Sequence, residues 1–145
     1  MKKLLIAAMM VAAIGSTAFA ADVKKLSLKV KNSFESQFAD AQNVSWSFGE
    51  KFTKATFMLD DQQMEAFYSP DGETIGYTKD IEIKQLPKTA VQKINKTYAE
   101  YKISGAIEFT NDEVKNYYVS IASGNKKLIL EVSPTGDVRK FNPFQ

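Results

Sequence analysis

The stretch Tyr68-Ser69-Pro70-Asp71-Gly72 returns sixty-four positions later as Val132-Ser133-Pro134-Thr135-Gly136. A proline that presets φ, followed two residues on by a glycine that tolerates a positive φ, is turn chemistry. Spelling the same turn twice constrains the chain to build the same local structure twice. Upstream of the turns, Met64, Ala66 and Tyr68 align with Leu128, Leu130 and Val132, so the apolar parity of the entering strand is preserved. Downstream, Glu73 meets Asp137 and Tyr77 meets Phe141. Farther back, Phe38, Val44 and Trp46 fall on Tyr101, Ile107 and Phe109 at an offset of 63, which needs one extra residue in a hairpin of the second copy. Two tandem copies follow as the expectation, repeat one at about 22–80 and repeat two at about 86–142.

Residues 1–20 have the form of an export signal: Lys2 and Lys3, an apolar run from Leu4 to Ile14, and Ala18-Phe19-Ala20 before Ala21. The apolar run falls short of the about 20 residues that a membrane span requires. Cleavage after Ala20 is expected to leave residues 21–145 in the periplasm or secreted, with no membrane attachment, since the chain has no cysteine for a lipid anchor. Lys2 and Lys3 leave with the signal, so the 19 basic residues fall to 17 against 17 acidic ones. A balanced surface gathers no nucleic acid by long-range attraction. Arg139 is the single arginine, which supplies bidentate phosphate or base recognition poorly.

Without cysteine no disulfide staples the exported domain, and stability must come from a packed core. Without histidine the usual general base and the usual zinc ligand are missing. No cofactor is expected.

Val23, Leu26, Val30, Phe34 and Phe38 recur at spacings of three and four, the stripe of an amphipathic helix beginning near Asp22. Val44, Trp46 and Phe48 then alternate with Ser45 and Ser47 as in a half-buried strand. Strands over 52–59, 64–68 and 74–78 follow, separated by Asp60-Asp61-Gln62 and the Ser69 to Gly72 turn. After a short connection at 79–85, Pro87 suits a first helical turn, and Ala90, Val91, Ile94, Tyr98 and Tyr101 form a second stripe. Strands near 105–110, 113–122, 127–133 and 137–142 complete the second copy. The fold class expected is α+β: two tandem helix-plus-four-strand repeats forming one curved antiparallel sheet with helices packed on one face.

No motif carries catalysis. Ser123-Gly124-Asn125-Lys126 matches the S-x-x-K spacing of serine acyl-transfer enzymes, but it lies in a turn between strands and lacks the helical start that chemistry needs. Asp60-Asp61, Asp71-Glu73 and Asp112-Glu113 each fall in a turn, where Asp serves the backbone. The sequons at Asn43 and Asn95 fall at a strand start and within a helix. Strand parity places Val44, Trp46, Phe57, Tyr68, Tyr77 and Phe109 in the core. It places Phe52, Met58, Phe67 and Tyr118 on the sheet face away from the helices, where they form either a binding face or a set of exposed β-formers. Those four, with Asp60 and Asp61 at a hairpin tip, are the candidate partner-binding residues.

The pattern Phe34-x-x-x-Phe38-Ala39-x-Ala41-x-Asn43-Val44-x-Trp46, then Ala55-x-Phe57, then the aromatic-x-x-Asp-Gly of Tyr68 to Gly72, resembles the PepSY-like family of exported bacterial proteins, related in fold to β-lactamase inhibitory protein. The resemblance covers residues 26–142 and is closer in the first copy. It implies a noncatalytic module that binds or inhibits another exported protein. The inhibitory protein has disulfides and this chain has none, so neither that target nor its inhibitory loop residues are carried over. The expected function is an exported binding module with a protein or peptide partner. A small carboxylate-dependent hydrolase and a structural envelope protein stand as alternatives. The sequence names no partner and no oligomeric state.

Overall fold

The computed structural model describes residues 26–142. The expected signal at 1–20, Val23, Phe144 and Gln145 lie outside them. Among the described residues the fold is α+β, with two α-helices and an eight-stranded antiparallel sheet whose strands follow chain order. Contacts divide the chain into one unit ending at Tyr77 and a second running from Thr78 to Phe141.

The first unit holds helix α1 (Leu28–Gln37) and strands β1 (Gln42–Phe48), β2 (Thr53–Leu59) and β3 (Gln62–Tyr68), with β4 (Thr74–Asp80) beginning in it. Val30 and Phe34, one helical turn apart, face the sheet from α1, and Leu26 and Phe38 extend the stripe at its two ends. They pack on Ala55, Phe57, Met64, Ala66 and Tyr68, all of one strand parity. Phe34 is the hub: its ring lies 5.1 Å from Trp46, 5.0 Å from Phe57 and 5.6 Å from Phe38. Edge contacts of this kind each add about 0.5–1.5 kcal/mol beyond the area they bury. Trp46 is only half-buried, because among the described residues β1 has a neighbouring strand on one side alone.

The second unit has a 3-10 turn (Ile83–Gln85), helix α2 (Lys88–Thr97) and strands β5 (Lys102–Thr110), β6 (Lys115–Ser123), β7 (Lys126–Val132) and β8 (Val138–Lys140). Pro87 caps α2 with φ −53°, donating no N–H where none is needed. Ala90 and Ile94 pack on Ala106, Val119, Ile121, Leu130 and Val132. The core here is aliphatic where that of the first unit is aromatic.

Two details of register correct the sequence reading. Trp46 pairs with Ala55, and Ala106 pairs with Val119, so Trp46 is level with Ala106 and not with Phe109. The offset between β1 and β5 is therefore 60, and Phe38 corresponds to Tyr98. The reason is hairpin length: β5 and β6 have nine residues each where β1 and β2 have seven. Adding two residues to each strand preserves parity, so Ile107 and Phe109 fall on the face away from α2. Phe109 is buried there. The second correction concerns Val44, expected in the core and found 37% exposed. A bulge between Gln42 and Ser45, with Asn43 at φ 54°, pushes it out of the ladder. The matching bulge in β5 lies between Ile103 and Gly105.

The duplicated turns are built alike. In the first, the Ser69 N–H donates to the Glu73 carbonyl, the Gly72 N–H to the Ser69 carbonyl, and the Glu73 N–H to Ser69 Oγ. In the second, Ser133, Gly136 and Asp137 make the same three bonds. Each turn is pressed on its own helix. A Cβ on Gly72 would stand 2.8 Å from Lys29 Cβ, and one on Gly136 would overlap the Thr89 side chain. Glycine is thus required twice over, for a positive φ and for room.

Candidate binding face and hairpin tip

In the first unit β2 and β3 pair without irregularity from Thr53↔Tyr68 to Leu59↔Gln62. Ala55 and Phe57 point to α1, so Lys54, Thr56 and Met58 point away, joined by Gln63, Glu65 and Phe67 from β3. Phe52 precedes β2 in the hairpin loop and turns its ring onto Phe67 at 5.7 Å.

The expected open aromatic patch is not what this face presents. Phe67 has 0% exposure, and Phe52 and Met58 are half-buried. Tyr118, in the second unit, is 3% exposed, with its ring 5.2 Å from that of Phe141. Parity assigned the correct face, but facing away from a helix is not the same as facing water. Phe67 and Tyr118 are core residues of that face.

Polar pairs lie on the strands as well as in turns, which the sequence reading missed. Lys54 Nζ donates to Glu65 Oε1 at 2.7 Å, with side chains 12% and 14% exposed. Glu65 Oε2 is buried without a hydrogen-bond partner among the described residues. In the second unit Tyr118, Glu131 and Arg139 lie opposite one another across β6, β7 and β8. Arg139 Nε and a terminal guanidinium nitrogen both donate to Glu131 Oε2, at 2.8 and 2.7 Å, while Asn116 Nδ2 donates to Oε1 at 2.8 Å. Burial pushes the Tyr118 phenol up to about 12; the Glu131 charge adds to this, and Asn116 and Arg139 oppose it. The signal for both pairs was present in the sequence as opposite charges at outward parity on neighbouring strands.

The remaining candidates are at the far end of β2. Met58, Asp60 and Asp61 cluster at the β2–β3 hairpin tip, while Phe52 and Phe67 lie at the opposite end of the same strands. Asp60 and Asp61 are exposed, with φ 51° and 62°. Two positive φ values in a two-residue loop make the tight turn that matches the twist of the strands, a turn for which Asn-Gly is the least costly pair. At the equivalent place the second unit has Gly124-Asn125. There Gly124 takes a positive φ and Asn125 does not, whereas the first unit carries two adjacent carboxylates with both residues at positive φ.

No protein-family model matches this chain, and no curated protein does. Solved structures share its fold. A DUF2874 family protein from Bacteroides uniformis is similar with TM-score 0.72 at 15% identity, covering 79% of this chain and 89% of its own. A Bacteroides eggerthii protein provisionally assigned to the periplasm gives 0.71 at 16% identity, covering 85% and 88%. A BLIP-like protein from Bacteroides fragilis gives 0.69 at 15% identity, covering 84% and 94%.

Proposed function

We propose that this chain is an exported, noncatalytic binding module, PepSY-like in family and built as a tandem duplication, which engages another periplasmic protein through the β2–β3 hairpin tip. The observation that carries the reading is the Asp60-Asp61 turn. Two like charges side by side, both in left-handed backbone, lower stability in a way that the two-residue turn of the other unit, with a positive φ at Gly124 and none at Asn125, does not. A feature held against the interest of the fold is explained by a use outside it. Met58, half-buried beneath the tip, supplies adaptable apolar surface, and the carboxylates orient a basic partner at the rim. Phe67 and Tyr118 support the face from within instead of touching the partner. The likeness in fold to a BLIP-like and a periplasmic protein supports the class of function and leaves the target open. Export by cleavage after Ala20 belongs to the same reading.

The test replaces Asp60-Asp61 with Asn-Gly. The expected result is a gain in stability together with loss of partner capture by cross-linking in periplasmic extract. A variant that captures the same protein as well as the parent refutes the assignment of the tip.

A further inference from the structure

We infer that β1 is a strand-pairing edge, which takes β1 of a second copy of this chain in antiparallel alignment. β1 has β2 on one side and no described strand on the other, so alternate residues direct backbone N–H and C=O groups outward. Sheet edges are ordinarily blunted by shortness, charge or proline. The other terminal strand obeys the rule: β8 has three residues, two of them Arg139 and Lys140. β1 does not. Its seven residues, Gln-Asn-Val-Ser-Trp-Ser-Phe, include no charge and no proline. Its one irregularity, the bulge between Gln42 and Ser45, leaves Ser45–Phe48 in regular register with β2.

Symmetry selects the occupant. A two-fold axis that joins two edges into one antiparallel pair stands perpendicular to the sheet, so each face continues as the same face and opposed residues share parity. Trp46 and Phe48 alternate with Ser45 and Ser47. Self-pairing therefore sets ring against ring on one face and serine against serine on the other, with Trp46 at the axis. No like charges meet. The β8 edge of another copy would bring Arg139 and Lys140 and only three residues of ladder. The neutral, self-matching strand is the better complement.

Sedimentation of the purified chain over a range of concentrations tests this. The expected result is a reversible dimer, with the double variants Ser45→Lys/Ser47→Lys and Ser45→Asp/Ser47→Asp each weakening association by about tenfold or more, because position 45 of one copy directly opposes position 47 of the other. An equal mixture of the two variants regains association, because Lys then meets Asp. Lys140→Ser, on the other edge, leaves association unchanged. Should either charged double variant fail to fold, dilution of the wild-type chain provides a second readout, since Trp46 is the sole tryptophan and its emission shifts as the pair separates. A wild-type chain that sediments as a monomer throughout, a dimer indifferent to both charges, or emission unchanged on dilution overturns the inference.

Discussion

Replacing Gly72 with alanine probes the contact between the duplicated turn and its helix. Two penalties combine there. The φ of +86° costs an L-residue about 1–2 kcal/mol. The new methyl would stand 2.8 Å from Lys29 Cβ and 2.9 Å from the Lys29 carbonyl carbon. Helix backbone cannot swing aside as a side-chain end can, so overpacking adds about 1–3 kcal/mol. Together these predict a loss of about 2–5 kcal/mol. Two other glycines separate the terms. Gly124, at φ +56° with nothing within 4 Å of its Cβ, should lose only the conformational part when changed to alanine, about 1 kcal/mol. Gly105 has neither a positive φ nor a neighbour within 4 Å, and Gly105→Ala should be neutral or stabilise by up to about 1 kcal/mol. Urea unfolding checks the series, followed by Trp46 fluorescence for the first unit and by circular dichroism for the whole chain. If Gly72→Ala costs no more than Gly124→Ala, the turn is not pressed on the helix and the reason given for its duplication fails.

Phe67→Ala should destabilise by about 3–5 kcal/mol as a core truncation, measured by the same unfolding curves; a change under about 1 kcal/mol would return Phe67 to the surface. Lys54→Met alone should cost about 3 kcal/mol by leaving the Glu65 carboxylate buried without its cation, whereas Lys54→Met with Glu65→Leu should come near the parent, and a double-mutant cycle reads the difference. Alkaline pH should unfold the protein through its buried phenols. The Tyr118 phenol titrates at 10.0 when unfolded and at about 12 when folded, so its stabilisation is complete below the first value and lost as pH rises through the second. Tyr118→Phe should flatten that part of the stability profile, and tyrosinate absorbance followed beside circular dichroism tests whether ionisation and unfolding coincide.

Local chemistry in the sequence determined the elements and the inward faces of α1, α2, β2, β3, β6 and β7. Helix stripes at Val30/Phe34 and Ala90/Ile94, period-two strands and Pro-x-Gly turns act between near neighbours, so these features are readable without knowing the fold. The duplicated turn was legible for the same reason. What lay beyond reach depended on distant residues. The offset of 63 looked correct because Ile107 and Phe109 are more apolar than Ala106 and Glu108; only the pairing of β5 with β6 shows that the longer hairpin sends the bulkier pair to the other face. Parity placed Phe67 and Tyr118 away from the helices, yet their burial, with the Phe52 ring on Phe67 and the Phe141 ring on Tyr118, is a property of packing that no alternation along one strand encodes. Lys54 and Glu65, or Glu131 and Arg139, become partners only when hairpin register brings them together. Tertiary structure decided these points because a strand's sequence specifies which way a side chain points, while the rest of the chain decides what it meets there.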